Sequence, residues 1–290
     1  DQLWLMTGLS RTEDLDILSV VHVDDPFGAE LAARLSGSVI RCSREPGVPA
    51  EIRATRWSAT RAGIEAEVET PEGRVEIRSP MLGEHNLENL LVALGCAYAL
   101  DLDLKAVAKG WESASGSPGR LERIAHPDDV AVLVDYAHTP DALQRVLLAM
   151  RAVTPGRLIV VFGAGGDRDK GKRPEMGRVA AQGADLAVLT SDNPRSEDPR
   201  KILEEVAEGV KQAGGVPLDP AALPEASEGY CTIVDRRDAI AAALGAARPG
   251  DTVLLAGKGH ETYQIIGAQR HRFDDREEAR NVIANRGGAA

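Results

Sequence analysis

The chain has 290 residues, 27% charged and 43% hydrophobic, as in an ordinary globular protein of one large or two medium domains. Its formal net charge of −11, from 34 basic and 45 acidic residues, argues against a general nucleic-acid binder, which presents a basic face. The longest apolar stretch, LLVALGCAYAL at 90–100, is too short to cross a bilayer, and no signal peptide or lipidation motif is visible, so a cytoplasmic chain without membrane insertion is expected.

Cys42, Cys96 and Cys231 stand far apart and form no metal-ligand spacing. They read as small buried apolar residues of a reducing compartment, and no metal site is read elsewhere. The chain starts at Asp1 and runs within a few residues into DILSVVHVDDPFG, which reads as a start inside a domain. Its first fifteen residues carry no motif that can be placed, and the sequence carries no reading of oligomeric state.

In chain order, ILSVVHV (17–23) predicts a strand, DDPFG a turn, AELAARL a helix and VIRCS (39–43) a second strand. IRATRWSAT, GIEAEVET and RVEIRSP alternate apolar and polar residues, and the last two are joined across PEG, as antiparallel hairpin strands would be. HNLENLLVALGCAYAL (85–100) has helical spacing, with Asn86 placed to cap it, and DLKAVAKGWES (103–113) predicts another helix. The small-residue stretch SASGSPG (113–119) marks a linker. The expected domains are 1–116 and 117–290.

Beyond the linker, strands and helices alternate strictly. Strands are expected at VAVLVDY (130–136), RLIVVFG, LAVLT (186–190), YCTIVD and TVLLAG (252–257). Between them lie the helices PDALQRVLLAMRAV, PEMGRVAAQ, DPRKILEEVAEGVKQA and RRDAIAAALGAA. This is the pattern of an α/β domain with a mostly parallel sheet, and the near-continuous apolar strands fit a sheet covered on both faces. A hairpin at YQIIGAQRHRF and a last helix at DDREEARNVIAN close the chain.

Ligands of open α/β sheets bind beyond the carboxyl ends of the strands, where this chain collects its unusual residues. GAGGDRDKGKRP (163–174) follows a strand and matches the phosphate-loop pattern G-x-x-x-x-G-K through Gly166, Gly171 and Lys172. The next residue should be Ser or Thr to hold magnesium, but it is Arg173 followed by Pro174. The loop therefore reads either as a solvated charge run or as a ligand contact in which Arg168 and Lys172 meet anions.

SDNPR (191–195) reads as a turn, or as a site where Arg195 presents its planar fork to a carboxylate beside the neutral donor and acceptor of Asn193. GKGHE (257–261) reads as a glycine turn, or as a place where Gly257 and Gly259 admit a ligand close to the backbone and Glu261 faces an ammonium. An arginine for a carboxylate and a glutamate for an ammonium at one sheet edge suggest an amino-acid substrate. Asp135 is open between helix cap and ribose contact, and His138 between surface residue and site residue.

HNLEN (85–89), GRLE (119–122), DYAHTPDAL (135–143), GDRDKGKRP (166–174), TSDNPRSEDP (190–199) and AGKGHETYQ (256–264) occur in that order. Together they closely resemble the Mur ligases from about residue 17 onward. The resemblance implies the latter part of a central ATP-binding domain followed by a Rossmann-like C-terminal domain. It places the family's own phosphate loop, carbamylated lysine and magnesium-binding stretch upstream, so this chain alone is expected to form no amide.

It further implies an ATP- and Mg2+-dependent amide ligase of peptidoglycan precursor synthesis, acting on a UDP-MurNAc-dipeptide. The DNPR form is that of members that add meso-diaminopimelate. Arg168, Asp192, Asn193, Pro194, Arg195, Gly257 and Glu261 would then bind the amino acid. Asn86 and Asn89 would lie near the adenine and Asp135 at the ribose. Arg120 would reach the ATP phosphates, with His138 close by, and these two are the expected catalytic contacts. A non-catalytic remnant that binds diaminopimelate or nucleotide is an alternative. So is a related ligase such as a folylpolyglutamate synthetase, although residues 192–195 speak against that one.

Overall fold

The structure, a computed structural model, describes residues 18–287, so the first fifteen residues and the expected domain start lie outside the described residues. The chain forms two compact units, the first ending at Ser115 and the second beginning at Gly116.

In the first unit, β1 (Leu18–His22), β2 (Ser38–Ser43), β3 (Ile52–Thr60), β4 (Gly63–Thr70) and β5 (Gly73–Ser79) form one sheet in that order. The β1–β2 and β2–β3 pairs are parallel, and β3–β4–β5 is an antiparallel meander. Between β1 and β2, α1 (Pro26–Arg34) starts under an Asp25 cap, so the sequence DDPFG enters the helix instead of forming a separate turn. Alternation sets the faces: Ile64, Val68, Val75 and Ile77 turn into the core. Outward-facing Arg53 and Glu69 pair across strands at 2.6 Å.

The core is closed by α2 (Glu84–Ala99) through Leu87, Leu91 and Leu94 and by α3 (Leu104–Gly110) through Leu104 and Ala108. Each of these buried leucines is worth about 1.5–3 kcal/mol. The cap of α2 is Gly83, not Asn86, which sits one turn inside and donates from Nδ2 to the Leu82 carbonyl at 2.7 Å. Cys42 and Cys231 are buried, and burial pushes their thiols up to about 12 and about 11. Cys96 is exposed, contrary to the expectation of three buried thiols.

The second unit contains β6 (Glu122–Ile124), β7 (Ala131–Asp135), α4 (Pro140–Val153), β8 (Leu158–Phe162), α5 (Lys172–Gly183) and β9 (Leu186–Leu189). It continues with α6 (Pro199–Gln212), β10 (Gly229–Thr232), α7 (Arg236–Ala246), β11 (Thr252–Ala256), the hairpin β12 (Tyr263–Ile266) and β13 (Gln269–Arg272), and α8 (Asp275–Gly287). The six-stranded sheet has the order β10-β9-β8-β11-β7-β6, parallel throughout except for the β6 edge. No pattern announced β6, since three residues of an edge strand carry no period of their own.

All five residues of β7, β8 and β11 are buried. Val132, Val134, Ile159, Val161, Val253 and Leu255 pack with Ala239, Ile240 and Ala243 of α7 and with Ala279 and Ile283 of α8. Arg236 is wholly buried and pairs at two points with Asp275, at 2.8 and 2.6 Å, while also donating to the Ala256 carbonyl at 2.9 Å. Burial works against its charge, but the adjacent Asp275 outweighs burial and raises its pKa.

The chain runs from β7 to β8, outward through β9 and β10, then back to insert β11 between β8 and β7. That return is a topological switch point, and it brings the loops after β7, β8, β9 and β11 to one edge. Helices α5 and α6 line up behind the loops at very short range: a Cβ on Gly209 would lie 1.8 Å from the Pro174 carbonyl oxygen. Gly209→Ala is therefore expected to force these helices apart and destabilise the second unit by about 1–3 kcal/mol in urea unfolding. An unchanged midpoint would show that the helix contact yields without cost.

Candidate functional site

At the end of β7, Asp135 accepts from Leu121 N at 2.9 Å and Ala137 N at 2.8 Å, so each carboxylate oxygen holds a backbone amide. Next to it, Tyr136 anchors a polar cluster. The Arg120 guanidinium stands 4.9 Å from the ring centroid, the His138 ring 4.6 Å and the His260 ring 5.3 Å. His138 Nδ1 lies 2.8 Å from the Tyr136 carbonyl oxygen, and Lys172 Nζ donates to the His138 carbonyl at 3.2 Å. Arg120 from the segment before β6 and Lys172 from the start of α5 thus bring two cations to the β7 end, beside the rings of Tyr136, His138 and His260.

Arg173, which fails the magnesium position of a phosphate loop, has a different task. Its side chain has no exposed surface and donates to Glu197 at 2.8 and 3.0 Å, to Glu205 at 2.9 Å and to the Gly165 carbonyl at 3.2 Å. Glu197 also accepts from Asp167 N at 2.6 Å, and Asp167 takes the Ser196 hydroxyl at 2.7 Å. The Arg173 guanidinium first, and then the Asp167 amide, bring Glu197 from an ordinary 4.5 down to about 2. The Ser196 bonds lower Asp167 as well. The charged loop after β8 is therefore pinned to the loop after β9, while Arg168, Asp169 and Lys170 remain at the surface.

The two loops also meet directly. Gly166 N donates to the Asn193 carbonyl at 2.9 Å, and Arg195 Nη1 donates to the Gly166 carbonyl at 2.7 Å. A Cβ on Gly166 would sit 1.9 Å from the Pro194 carbonyl oxygen, so the approach needs glycine. A Cβ built on Gly165 would lie 3.1 Å from Arg195 Nη1 and 3.7 Å from Arg168 Cγ, which places both arginines around one backbone atom.

The loop after β11 and the β12–β13 hairpin complete the edge. Asn193 Nδ2 donates to Glu261 Oε2 at 3.0 Å and to Asp192 Oδ1 at 3.4 Å, and its Oδ1 accepts from Ile265 N at 2.9 Å. Gln264 Nε2 donates to the Asp192 carbonyl at 2.7 Å. The hairpin holds Arg195 by its main chain: Arg195 N donates to the Ile265 carbonyl at 3.1 Å and Gly267 N to the Arg195 carbonyl at 2.7 Å, with Arg195 at φ 50°. Lys258, wholly buried, donates to Asp192 at 3.4 Å and Glu261 at 3.3 Å. Gly257 N donates to the Asp135 carbonyl at 3.0 Å, and the space where its Cβ would stand is open.

Of the residues expected from sequence, Asp192, Asn193, Pro194, Arg195 and Glu261 thus form one hydrogen-bonded unit with Arg168 beside it. Arg120, Asp135 and His138 stand at the β7 end of the same sheet. Asn86 and Asn89 belong to the first unit, at the start of α2, where Asn89 Nδ2 donates to Asn86 Oδ1 at 3.3 Å. Lys258, Tyr136, Gln264 and the Arg173–Glu197 pair were not read from the sequence. Lys258, Tyr136 and Glu197 sit in glycine-rich or strand-end loops, and Arg173 and Gln264 at the start of a helix and of a four-residue strand, where too few residues set a period from which side-chain direction follows.

Residues 119–259 match the model of the Mur ligase, glutamate ligase domain, and residues 5–97 that of the Mur ligase middle domain. The second match begins inside the fifteen residues that the motifs left unplaced. The chain belongs to the Mur ligase family. It is 47% identical over 269 residues to the UDP-N-acetylmuramoyl-L-alanyl-D-glutamate–2,6-diaminopimelate ligase of Gloeobacter violaceus, covering 92% of this chain and 52% of that protein. It is 44% identical over 270 residues to the ligase of the same name from Trichormus variabilis, again covering 92% of this chain and 52% of the relative. A solved structure of a ligase of that name is 35% identical, with a TM-score of 0.66 over 93% of this chain and 53% of that one. The chain spans about half the length of the curated relatives it matches.

The Glu197 carboxylate binds its last proton at about 2 when folded and near the ordinary 4.5 when unfolded, so between these values the unfolded chain binds more protons. The stability it contributes is complete above the unfolded value and lost as pH falls towards the folded one. The urea midpoint of the second unit is expected to drop between pH 4.5 and 2, and Glu197→Gln to lower the midpoint at neutral pH while flattening that drop. Parallel pH curves for the two proteins would rule out this role.

Proposed function

We propose that this chain carries the amino-acid-binding half of an ATP-dependent ligase that joins meso-diaminopimelate to the D-glutamate of UDP-MurNAc-L-Ala-D-Glu. The observation that carries the reading is a division of charge along one sheet edge. Asp192 and Glu261 present carboxylates for an ammonium, with Asn193 between them, and the side chains of Arg168 and Arg195 stand beside Gly165, where the guanidinium donors not spent on the Asp167 and Gly166 carbonyls would serve a carboxylate. That is the complement of a zwitterionic amino acid. L-lysine shares the ammonium groups of diaminopimelate but lacks the second carboxylate that Arg195 would grip. The names of the relatives support the same substrate.

In this reading the D-glutamate side-chain carboxylate receives the γ-phosphoryl group of ATP and becomes an acyl phosphate. An amine of diaminopimelate attacks the acyl carbon and forms a C–N bond. The tetrahedral intermediate collapses with loss of phosphate, leaving an amide and ADP. The chain's share is positioning and electrostatics. Asp192, Asn193, Pro194, Arg195, Gly257, Glu261 and Arg168 hold the amino acid so that its amine points at the acyl carbon.

Arg120, His138 and Lys172, at the β7 end beside Tyr136, suit a polyanion and would face the phosphates of ATP, with Asp135 at the ribose. Magnesium is assigned with ATP by family membership. Among the described residues no three His, Cys, Asp or Glu side chains converge as a metal site.

The test is ADP-coupled product formation by the full natural protein from ATP, UDP-MurNAc-L-Ala-D-Glu and either meso-diaminopimelate or L-lysine. Preference for diaminopimelate is expected, and preference for lysine would overturn the substrate reading. Arg195→Ala should reduce the preference for diaminopimelate over lysine by about 10- to 100-fold, the worth of a hydrogen-bonded charge pair. An unchanged ratio of kcat/KM values in the variant would remove Arg195 from substrate selection.

A further inference from the structure

Lys258 has no exposed side-chain surface, and its two charged partners are Asp192 and Glu261, whose side chains keep 12% and 20% of their surface open. The cation therefore stands behind the two carboxylates, and they present the accessible edge. Arg236, whose charge Asp192 and Glu261 also favour, makes its direct carboxylate bonds to Asp275 at two points, so that pair adds no net charge. On the outer side, Lys258 lies 5.8 Å from the centroid of the Tyr263 ring, and Arg270 stacks on that ring at 3.5 Å. Two carboxylates and one ammonium leave the cluster with one net negative charge. A buried lysine needs only one carboxylate for neutrality, and a second, largely buried carboxylate whose only directly bonded cation is that same lysine is costly. Asn193 bridges both carboxylates while its own carbonyl is fixed by Ile265 N, so the two acids are held side by side.

We propose that Lys258 is a positioning residue of the amino-acid site: its buried ammonium holds Asp192 and Glu261 together and sets their net charge to accept one ammonium of the incoming amino acid. The proposal rests on the reading of this edge as the amino-acid site. Without Lys258 the two carboxylates repel, move apart and lose the paired geometry that an incoming ammonium requires. With Asp192 neutralised, Lys258 and Glu261 cancel and nothing remains for the ligand. Removing both restores one net negative charge.

The test is a double-variant cycle in the full natural protein, reading KM for the amino acid, KM for ATP and kcat. Lys258→Met and Asp192→Asn are each expected to raise the amino-acid KM about tenfold or more, with KM for ATP within about twofold. The double variant is expected to have a lower amino-acid KM than either single variant. Multiplying losses, or equal changes in both KM values, would make Lys258 a structural ion pair and overturn the proposal. Should Lys258→Met fail to fold, Lys258→Gln runs the same cycle, with thermal unfolding as the control. The wild type is first assayed on meso-diaminopimelate, L-lysine and L-ornithine. Use of lysine or ornithine in place of diaminopimelate overturns the substrate reading alone, and the cycle is then read on the amino acid used. Use of none of the three overturns both.

Discussion

A guanidinium shut away from water must be matched by carboxylates and carbonyls, and Arg173 imposes that requirement on everything around it. Its two Nη groups are met by Glu197 from the loop after β9, Glu205 from α6 and the Gly165 carbonyl from the loop after β8, while its buried Nε has no partner among the described residues. These partners come from three separate stretches of chain, so satisfying one side chain fixes the spacing of two loops and a helix. The direct loop contacts, Gly166 to Asn193 and Arg195 to Gly166, depend on that spacing. A residue that looked like a failed magnesium position is the brace of the site.

On this frame the sheet edge separates charge. Towards β9 and β11 lie Asp192, Glu261 and the hidden Lys258; around Gly165 lie two arginines; towards β7 lie Arg120, His138 and Lys172 beside Tyr136. The separation follows from topology, because β11 inserts between β8 and β7 and brings loops distant in sequence to adjacent positions. A low-dielectric sheet beneath them keeps such charges from being screened as they would be in bulk water.

The alternation of strands and helices in the second unit was legible because period 3.6 and fully apolar strands leave strong marks over ten residues or more. The motif clusters at strand ends were legible as well, since sheet topology obliges those ends to share an edge. What escaped had no period. The three residues of β6 pair only because β7 offers an edge. The α2 cap fell to Gly83, whose backbone conformation leaves no side-chain signature. Lys258 lies between two glycines, where nothing in the sequence tells inward from outward. Cys96 was read as buried from its type, yet it falls on the solvent side of α2.

The hairpin grips residue 195 by its peptide groups alone, through Ile265 and Gly267, and those bonds are blind to the side chain they frame. The main-chain frame at position 195 thus does not depend on which side chain stands there, although the arginine adds its own bond to the Gly166 carbonyl. Its one demand is a left-handed backbone, φ 50°, which glycine, asparagine and aspartate tolerate best and valine, isoleucine and threonine worst. Backbone strain therefore filters substitutions at this point before any side-chain chemistry counts, and the codons open to a lineage of such proteins without strain are few.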